Sequence, residues 1–99
     1  MRFTLRQVEY FIAAAETGSI TLASERIHIS PSSVSAAISE LEKEFKVKLF
    51  IRHPAQGLFL TPSGRSLLRE AKDLIEYAEG LYTNVSDSVE KIRGPLSLG

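Results

Sequence analysis

The 99-residue sequence contains no cysteine, no long apolar run and no excess of positive charge. The absence of cysteine excludes disulfide bonds and thiolate chemistry within it. No stretch of about 18 apolar residues occurs, so the sequence contains no membrane-spanning helix. Residues 1–20 also lack the pattern of a secretory signal, and we expect a soluble cytoplasmic protein. A hydrophobic content of 43% is enough for the core of one small domain, with or without an extension.

The balance of charge argues at first against a nucleic-acid partner. Twelve basic and twelve acidic residues cancel, and the pI is near 6.7, whereas nucleic-acid-binding domains are usually basic. Basic residues are nevertheless concentrated in one segment, where only Glu70 opposes them. They are Lys46, Lys48, Arg52, Arg65, Arg69 and Lys72. A local excess of this kind suits contact with phosphates, and a solvated charged surface without a partner is the alternative.

The first half of the sequence predicts helices. Thr4 and Gln7 have the spacing of a capping box, and the apolar residues that follow at helical spacing predict a first helix over residues 5–16. Thr21 is the expected N-cap of a second helix, which runs to about Ile27.

The third helix is predicted to begin at Ser30 and Pro31. Ser30 suits the N-cap, and Pro31 suits the first helical position, where the missing N–H of proline costs nothing. The helix is expected to reach Phe45 and to bury Val34, Ala37, Ile38 and Leu41. With the second helix and the turn between them it has the layout of a helix-turn-helix over about residues 20–39, which makes DNA the expected partner.

After residue 45 the pattern changes from helical to alternating. Val47, Leu49 and Ile51 alternate with other residues, residues 53–57 break the chain, and residues 58–60 resume an extended pattern. This spacing predicts a two-stranded wing attached to the helix-turn-helix.

A long last helix is expected to begin at Thr61 and Pro62 and to end at Gly94. Its apolar residues recur about every 3.5 residues along nearly its whole length, and a small domain cannot cover so long a stripe, so the pattern favours helix pairing between two chains. A helix packed on its own domain throughout is the alternative. The predicted dimer interface consists of Leu67, Ala71, Leu74, Ala78, Leu81, Val85 and Ile92.

Taken together, the sequence resembles the N-terminal DNA-binding region of a LysR-type transcriptional regulator. The resemblance covers nearly the whole chain. It is carried by Leu5-Arg6-Gln7 with Tyr10-Phe11, by Gly18 to Thr21, by Ala23 to Ser30, by Val34-Ser35 with Ile38, by Leu41-Glu42, by Leu49-Phe50 with Arg52, and by Leu60 to Gly64.

The resemblance implies a mainly α fold, in which a winged helix-turn-helix of three helices and a short two-stranded wing is followed by a long dimerisation helix. The winged domain would occupy residues 1–61 and the linker helix residues 62–93, while residues 94–99 would begin an effector-binding domain beyond this sequence. It further implies a bacterial regulator, associated with the nucleoid, that binds an inverted-repeat operator in double-stranded DNA as a homodimer. When full length, such a protein forms a homotetramer and binds a small-molecule effector on its C-terminal domain.

The expected DNA-binding residues lie on the third helix and the wing. They are Ser30, Pro31, Ser32, Ser33, Ser35, Ala36, Ser39, Arg52 and His53. By the resemblance, positions 31, 32, 35, 36 and 39 face the major groove, and Arg52 matches a wing arginine that reaches toward the minor groove. The family often has Gln-Pro at positions 31–32 and Arg-Gln at positions 36–37, so common base-reading side chains are missing here.

This composition predicts a division of DNA recognition between the third helix and the wing. Serine hydroxyls both donate and accept hydrogen bonds and therefore select weakly among base edges, whereas Pro31 and Ala36 can contact thymine methyl groups. The N-terminus of the third helix can hold a phosphate. We expect the helix to position the protein and to contact thymine, and Arg52 to favour narrow A·T-rich minor grooves.

No catalytic, metal or cofactor site is expected. His28 is interpreted as a structural residue of the turn, and for His53 a phosphate or groove contact and simple exposure stay equally open. Neither histidine has a metal-ligating neighbour at useful spacing, and neither a catalytic triad nor a glycine-rich phosphate loop can be assembled. The alternative function is a winged-helix protein-interaction module that dimerises without specific DNA binding, which the neutral charge and the serine-rich third helix favour.

Overall fold

A computed structural model describes the backbone of residues 1–98 and the side chains of residues 1–86. The chain forms a winged helix-turn-helix with a long final helix, as predicted. The elements are α1 (Leu5–Thr17), α2 (Ile20–Ile27), α3 (Pro31–Phe45), β1 (Phe50–His53), β2 (Gly57–Leu60) and α4 (Pro62–Leu98). Because α4 extends beyond the other elements, the molecule measures 65 × 26 × 19 Å.

Helix α1 begins and ends as its sequence predicts. The Gln7 N–H donates to the Thr4 hydroxyl at 3.1 Å, and the Thr4 N–H donates to the Gln7 side-chain oxygen at 2.9 Å. This reciprocal pair satisfies donors that a helix start leaves unpaired. Gly18 then ends the helix in the left-handed conformation, with φ 69°.

The predicted N-cap of α2 at Thr21 is wrong, because Ser19 holds that position. The Ser19 hydroxyl accepts a hydrogen bond from the Leu22 N–H at 3.1 Å, and the helix begins at Ile20. Both residues are good N-caps in isolation. The short turn after α1 ends at Ser19, whose extended backbone suits a cap, and Thr21 already lies in the first turn of the helix.

The core forms where the first three helices meet the start of the wing. The four residues predicted to be buried on α3 are all buried, and the core also contains Phe11, Leu49 and Phe50. The rings of Phe11 and Phe50 are tilted, with centroids 5.4 Å apart. Aromatic pairs of this kind add to the free energy of burial, so the wing is attached to the core through its first strand.

The wing differs from the alternation that the sequence predicts. Leu49 and Phe50 are both buried, at 0% and 6% exposure, whereas Val47 and Ile51 are 37% and 52% exposed. The reason lies in the approach to the strand: the Leu49 N–H donates to the Glu42 carboxylate at 2.8 Å, before regular pairing begins at Phe50. Within β1 only Phe50 is buried and residues 51–53 are exposed, so the predicted alternation of burial is wrong.

Helix α4 begins at the predicted place and continues past its predicted end. Thr61 caps it, since the Gly64 N–H donates to the Thr61 hydroxyl at 2.9 Å. The sequence of residues 95–98 also resembles the start of a strand, but the helix runs to Leu98, so neither the predicted stop at Gly94 nor an extended segment after it is observed. A strand needs a neighbouring strand for its hydrogen bonds, whereas a helix satisfies its own backbone. In the described part of the chain, the two wing strands pair only with each other.

Candidate nucleic-acid interface

The N-terminus of α3 presents a group of linked serine hydroxyls. The Ser30 hydroxyl accepts a hydrogen bond from the Ser33 N–H at 3.2 Å, which caps the helix. The same oxygen lies 3.1 Å from the Ser32 hydroxyl and 2.9 Å from the Ser33 hydroxyl. All three serines are exposed. Hydroxyls that already share hydrogen bonds can redirect them, so this group can meet a phosphate or a base edge with either polarity.

Four of the predicted positions on α3 fall on one exposed side of the helix, while Pro31 and Ser33 lie about 100° to either side of Ser32 and Ser30 is the N-cap. At about 100° per residue, Ser32, Ser35, Ala36 and Ser39 lie within roughly 100° of arc, opposite the buried apolar residues. Ser32, Ala36 and Ser39 are exposed, and Ser35 is half-buried. Ser33 points about 100° away from Ser32, so its hydroxyl contributes to the cap and not to this side.

The wing places its two predicted residues on opposite faces. Side chains alternate along a strand, and Arg52 pairs in register with Leu58 whereas His53 pairs with Gly57. The His53 ring stands edge-on to Phe59, with centroids 5.2 Å apart and an interplanar angle of 83°. Both predicted residues are exposed. Arg52 is therefore free to extend from the wing, while His53 is oriented by an aromatic neighbour.

The wing is held against the helix-turn-helix by a close backbone contact. The Leu58 N–H donates to the Gly18 carbonyl at 3.0 Å. A Cβ atom on Gly57 would lie 2.5 Å from that same carbonyl oxygen, and Gly57 also has a φ of 92°, which side chains disfavour. Only a residue without a side chain allows this approach. This main-chain contact therefore holds the wing against the turn between α1 and α2.

One of the basic residues counted from the sequence is already paired. Lys72 Nζ and Arg26 Nη1 each lie 2.8 Å from a carboxylate oxygen of Glu16. The hydrogen bond from Lys72 is the main cause that lowers the pKa of Glu16 below 4.5, and Arg26 adds to it, while desolvation acts in the opposite direction. The two ion pairs join α1, α2 and α4, so Lys72 stabilises the fold and does not belong to a free basic patch.

The predicted dimer interface on α4 divides into two parts. Ala71 is 2% exposed and Leu67 packs against the core, so these two residues cover the protomer's own domain. Farther along, Leu74, Leu81 and Val85 are 38%, 50% and 58% exposed, and Ala78 is half-buried. Ile92 lies outside the residues whose side chains the structure describes. The surface open to a partner therefore begins at Leu74.

An apolar groove accompanies this exposed part of α4. It lies between the first turn of α1 and the middle of α4, and its lining includes Leu5, Ile75, Leu81, Tyr82 and Val85. Leu5 begins the apolar spacing that predicts α1, yet it is 42% exposed. Leu5, Ile75 and Tyr82 line this groove and do not belong to the predicted interface. Leu5 lies on a distant segment of the chain, so its place beside α4 could not be predicted from spacing along that helix.

The histidine of the turn has a backbone role. His28 ends α2 in the left-handed conformation, with φ 58°, and its N–H donates to the Ser24 carbonyl. Its side chain is exposed. Within the part of the chain that the structure describes, no group of three or more acidic or histidine side chains could hold a metal ion, and no helix is long and apolar enough to cross a membrane.

Comparison with known proteins places this geometry in a family. Residues 5–65 match the family of bacterial regulatory helix-turn-helix proteins of the lysR type. The chain is 40% identical over 91 residues to the HTH-type transcriptional regulator TfdS of Cupriavidus pinatubonensis, which covers 92% of this chain and 30% of TfdS. It spans about a third of the length of the curated relatives it matches.

Two solved structures of similar fold contain DNA. One is the crystal structure of a CbnR_DBD–DNA complex, with a TM-score of 0.79, 32% identity, and coverage of 88% of this chain and 98% of that one. The other is a BenM_DBD/catB site 1 DNA complex, with a TM-score of 0.82, 25% identity, and coverage of 88% and 97%. The family match extends over more than half of the sequence and agrees with the fold. This chain therefore belongs to the lysR family of bacterial regulatory helix-turn-helix proteins.

Proposed function

We propose that this chain is the DNA-binding part of a LysR-type transcriptional regulator and binds double-stranded DNA through α3 and the wing. The observation that carries the proposal is the exposed side of α3, from Ser32 to Ser39, in a winged fold whose first strand carries the exposed Arg52. The fold that presents these residues is shared with two proteins whose structures contain DNA. An α-helix of this exposure fits the major groove, and an adjacent arginine can reach a minor groove.

The chemistry of α3 supports binding with modest base selection. Its exposed side carries hydroxyl and methyl groups but none of the Arg, Lys, Asn or Gln side chains that read guanine or adenine with two hydrogen bonds. Contacts to thymine methyls by Pro31 and Ala36 would favour some sites over others. We infer that Arg52 provides the remaining preference, because narrow A·T-rich minor grooves attract arginine.

A pair of binding measurements tests this division of labour. Enriched sequences are first recovered from a random DNA pool bound by the chain, and the affinity for an enriched duplex is then compared with that for a G·C-rich duplex. Arg52→Ala should weaken binding to the enriched duplex more than to the G·C-rich one. Arg6→Ala removes an exposed arginine on α1 and serves as the control. Equal losses on both duplexes would show that Arg52 supplies charge and not specificity.

The exposed part of α4 supports binding as a homodimer. Leu74, Leu81 and Val85 form an apolar surface on one side of a helix that extends beyond its own domain, and pairing with a second copy would cover it. A two-fold dimer presents two α3 helices and so matches an inverted-repeat operator. Assembly of the full-length protein into tetramers and its response to a small-molecule effector are also part of this proposal, and membership of the family is their only support.

A protein-interaction module without DNA binding is the second candidate, because the same apolar surface and the neutral net charge would serve it. Salt dependence separates the two. If the chain contacts phosphates, the logarithm of its binding constant falls linearly with the logarithm of salt concentration, by about 0.9 for each phosphate contact. Failure to bind any duplex at low salt would reject the DNA-binding proposal and leave the interaction module.

A further inference from the structure

The exposed side of α3 continues beyond the serines into three lysines. Lys43 follows Ser39 by four residues and lies within about 60° of it around the helix axis, whereas Lys46 and Lys48 follow the end of α3 at Phe45. A shallow groove connects them, and one acid lies among its lining residues, which are Ser39, Glu42, Lys43, Lys46, Val47 and Lys48. The side that is neutral at the N-terminus of α3 is therefore cationic at its C-terminus.

The backbone at Lys46 is unusual for a lysine. Lys46 ends α3 with φ 58° and ψ 38°, in the left-handed region, and its N–H donates to the Glu42 carbonyl. Glycine adopts this conformation without a penalty, whereas a residue with a Cβ atom does not. The turn thus carries a charged side chain at a position where the backbone alone would favour glycine. Strain of this kind is often associated with function.

The three lysines are available to a ligand. Lys43, Lys46 and Lys48 are exposed, and the ion pairs found among the described side chains involve only other residues. Glu42 lines the same groove, and its carboxylate accepts a hydrogen bond from the Leu49 N–H at 2.8 Å.

Two other acids lie beside these lysines. Glu40 and Glu44 line a second groove together with Lys43, Lys46 and Phe3. They reduce the net charge of the region, although they lie about 100° and 140° around the helix axis from Ser39. The negative end of the helix also attracts lysines, and this attraction is the alternative explanation for Lys43 and Lys46.

We propose that Lys43, Lys46 and Lys48 form a second DNA contact, which binds phosphates of the backbone beyond the base pairs that face Ser32 to Ser39. The proposal rests on the proposed DNA-binding function and adds residues to it. Ser39 and Lys46 are seven residues apart, which is about 10 Å along the helix, and extended lysine side chains add further reach. These contacts would compensate for the missing base-reading side chains by increasing affinity for DNA of any sequence.

The test is a salt titration of binding to a random-sequence duplex by the whole 99-residue chain. We compare the unchanged chain with Lys43→Gln, Lys46→Gln, Lys48→Gln and the triple variant. Each single variant should lower the slope of log K against log salt by about 0.9 and weaken binding about fivefold near 0.15 M salt. Lys46→Arg keeps the charge and should restore the slope, and Arg6→Gln, on α1, should leave it unchanged.

The outcomes distinguish this inference from the function on which it rests. If the unchanged chain binds the duplex and the triple variant has the same slope, the lysine contact is rejected while DNA binding stands. If the unchanged chain binds no duplex, both fail. Circular dichroism and urea unfolding of each variant exclude a loss of folding, and a triple variant that is folded but has a reduced slope supports the proposal.

Discussion

Replacing Leu81 by alanine tests whether α4 pairs two chains. Leu81 is 50% exposed in the single chain and lies at the centre of the apolar part of α4. Complete burial of a leucine side chain contributes about 1.5–3 kcal/mol, so covering the remaining half contributes about 1 kcal/mol. In a two-fold dimer the same residue is covered on both chains, and the substitution should cost about 2 kcal/mol of association free energy.

This free energy corresponds to an increase of about 30-fold in the dimer dissociation constant, because about 1.4 kcal/mol equals a factor of ten. Alanine is at least as good a helix former as leucine, so α4 itself should not weaken. Sedimentation equilibrium over a range of protein concentrations measures the constant directly. DNA binding should weaken with it, since two linked α3 helices bind an inverted repeat more tightly than one.

Thr83→Ala provides a matched control on the same helix. Thr83 is exposed and lies about 200° around the helix from Leu81, away from the apolar side. Its substitution should leave the dissociation constant unchanged. If Leu81→Ala and Thr83→Ala behave alike, or if the unchanged chain is monomeric at high concentration, pairing through this surface is refuted.

Three further predictions concern stability, measured by urea unfolding. The ion pairs of Glu16 stabilise the folded state above pH 4.5, the ordinary pKa of this carboxyl, and the stabilisation is lost as the pH falls through its lowered pKa in the folded state. Glu16→Gln should destabilise the chain by only a few tenths of a kcal/mol at pH 7, because the two basic partners are about half exposed. A difference in stability that persists at pH 2 would contradict this prediction. Gly64→Ala should lower the free energy of unfolding by about 3 kcal/mol, because its Cβ would lie 2.1 Å from the Leu49 carbonyl oxygen. In the control Gly80→Ala the Cβ meets nothing closer than 3.8 Å, so this substitution should be neutral or stabilising. Lys46→Gly should stabilise by about 0.5–1 kcal/mol by removing left-handed strain, and a loss of stability would show that its charge at the helix end matters more.

The sequence predicted most successfully what depends on neighbouring residues. The capping box at Thr4, the Ser30-Pro31 start of α3 and the buried residues of α3 follow from spacing and backbone chemistry within a few residues. Each was confirmed because no distant contact competes with it. The exposed side of α3 follows from the same spacing, since residues opposite a buried stripe face solvent.

Features that depend on distant contacts were missed. Ser19 and Thr21 are chemically equivalent caps, and only the course of the turn decides between them. The burial of Phe50 depends on Phe11, and the start of the wing depends on Glu42. The close approach of Gly57 to the Gly18 carbonyl joins residues 39 positions apart, which no local pattern indicates.

The junction at Thr61 has a mechanical consequence. The Thr61 hydroxyl donates to the Lys48 carbonyl and accepts from the Gly64 N–H, while the Thr61 N–H donates to the Leu49 carbonyl. One residue thus joins the segment before β1 to the first turn of α4 through three hydrogen bonds. A rotation of α4 would therefore also rotate the wing, and Arg52 on β1 would move with it.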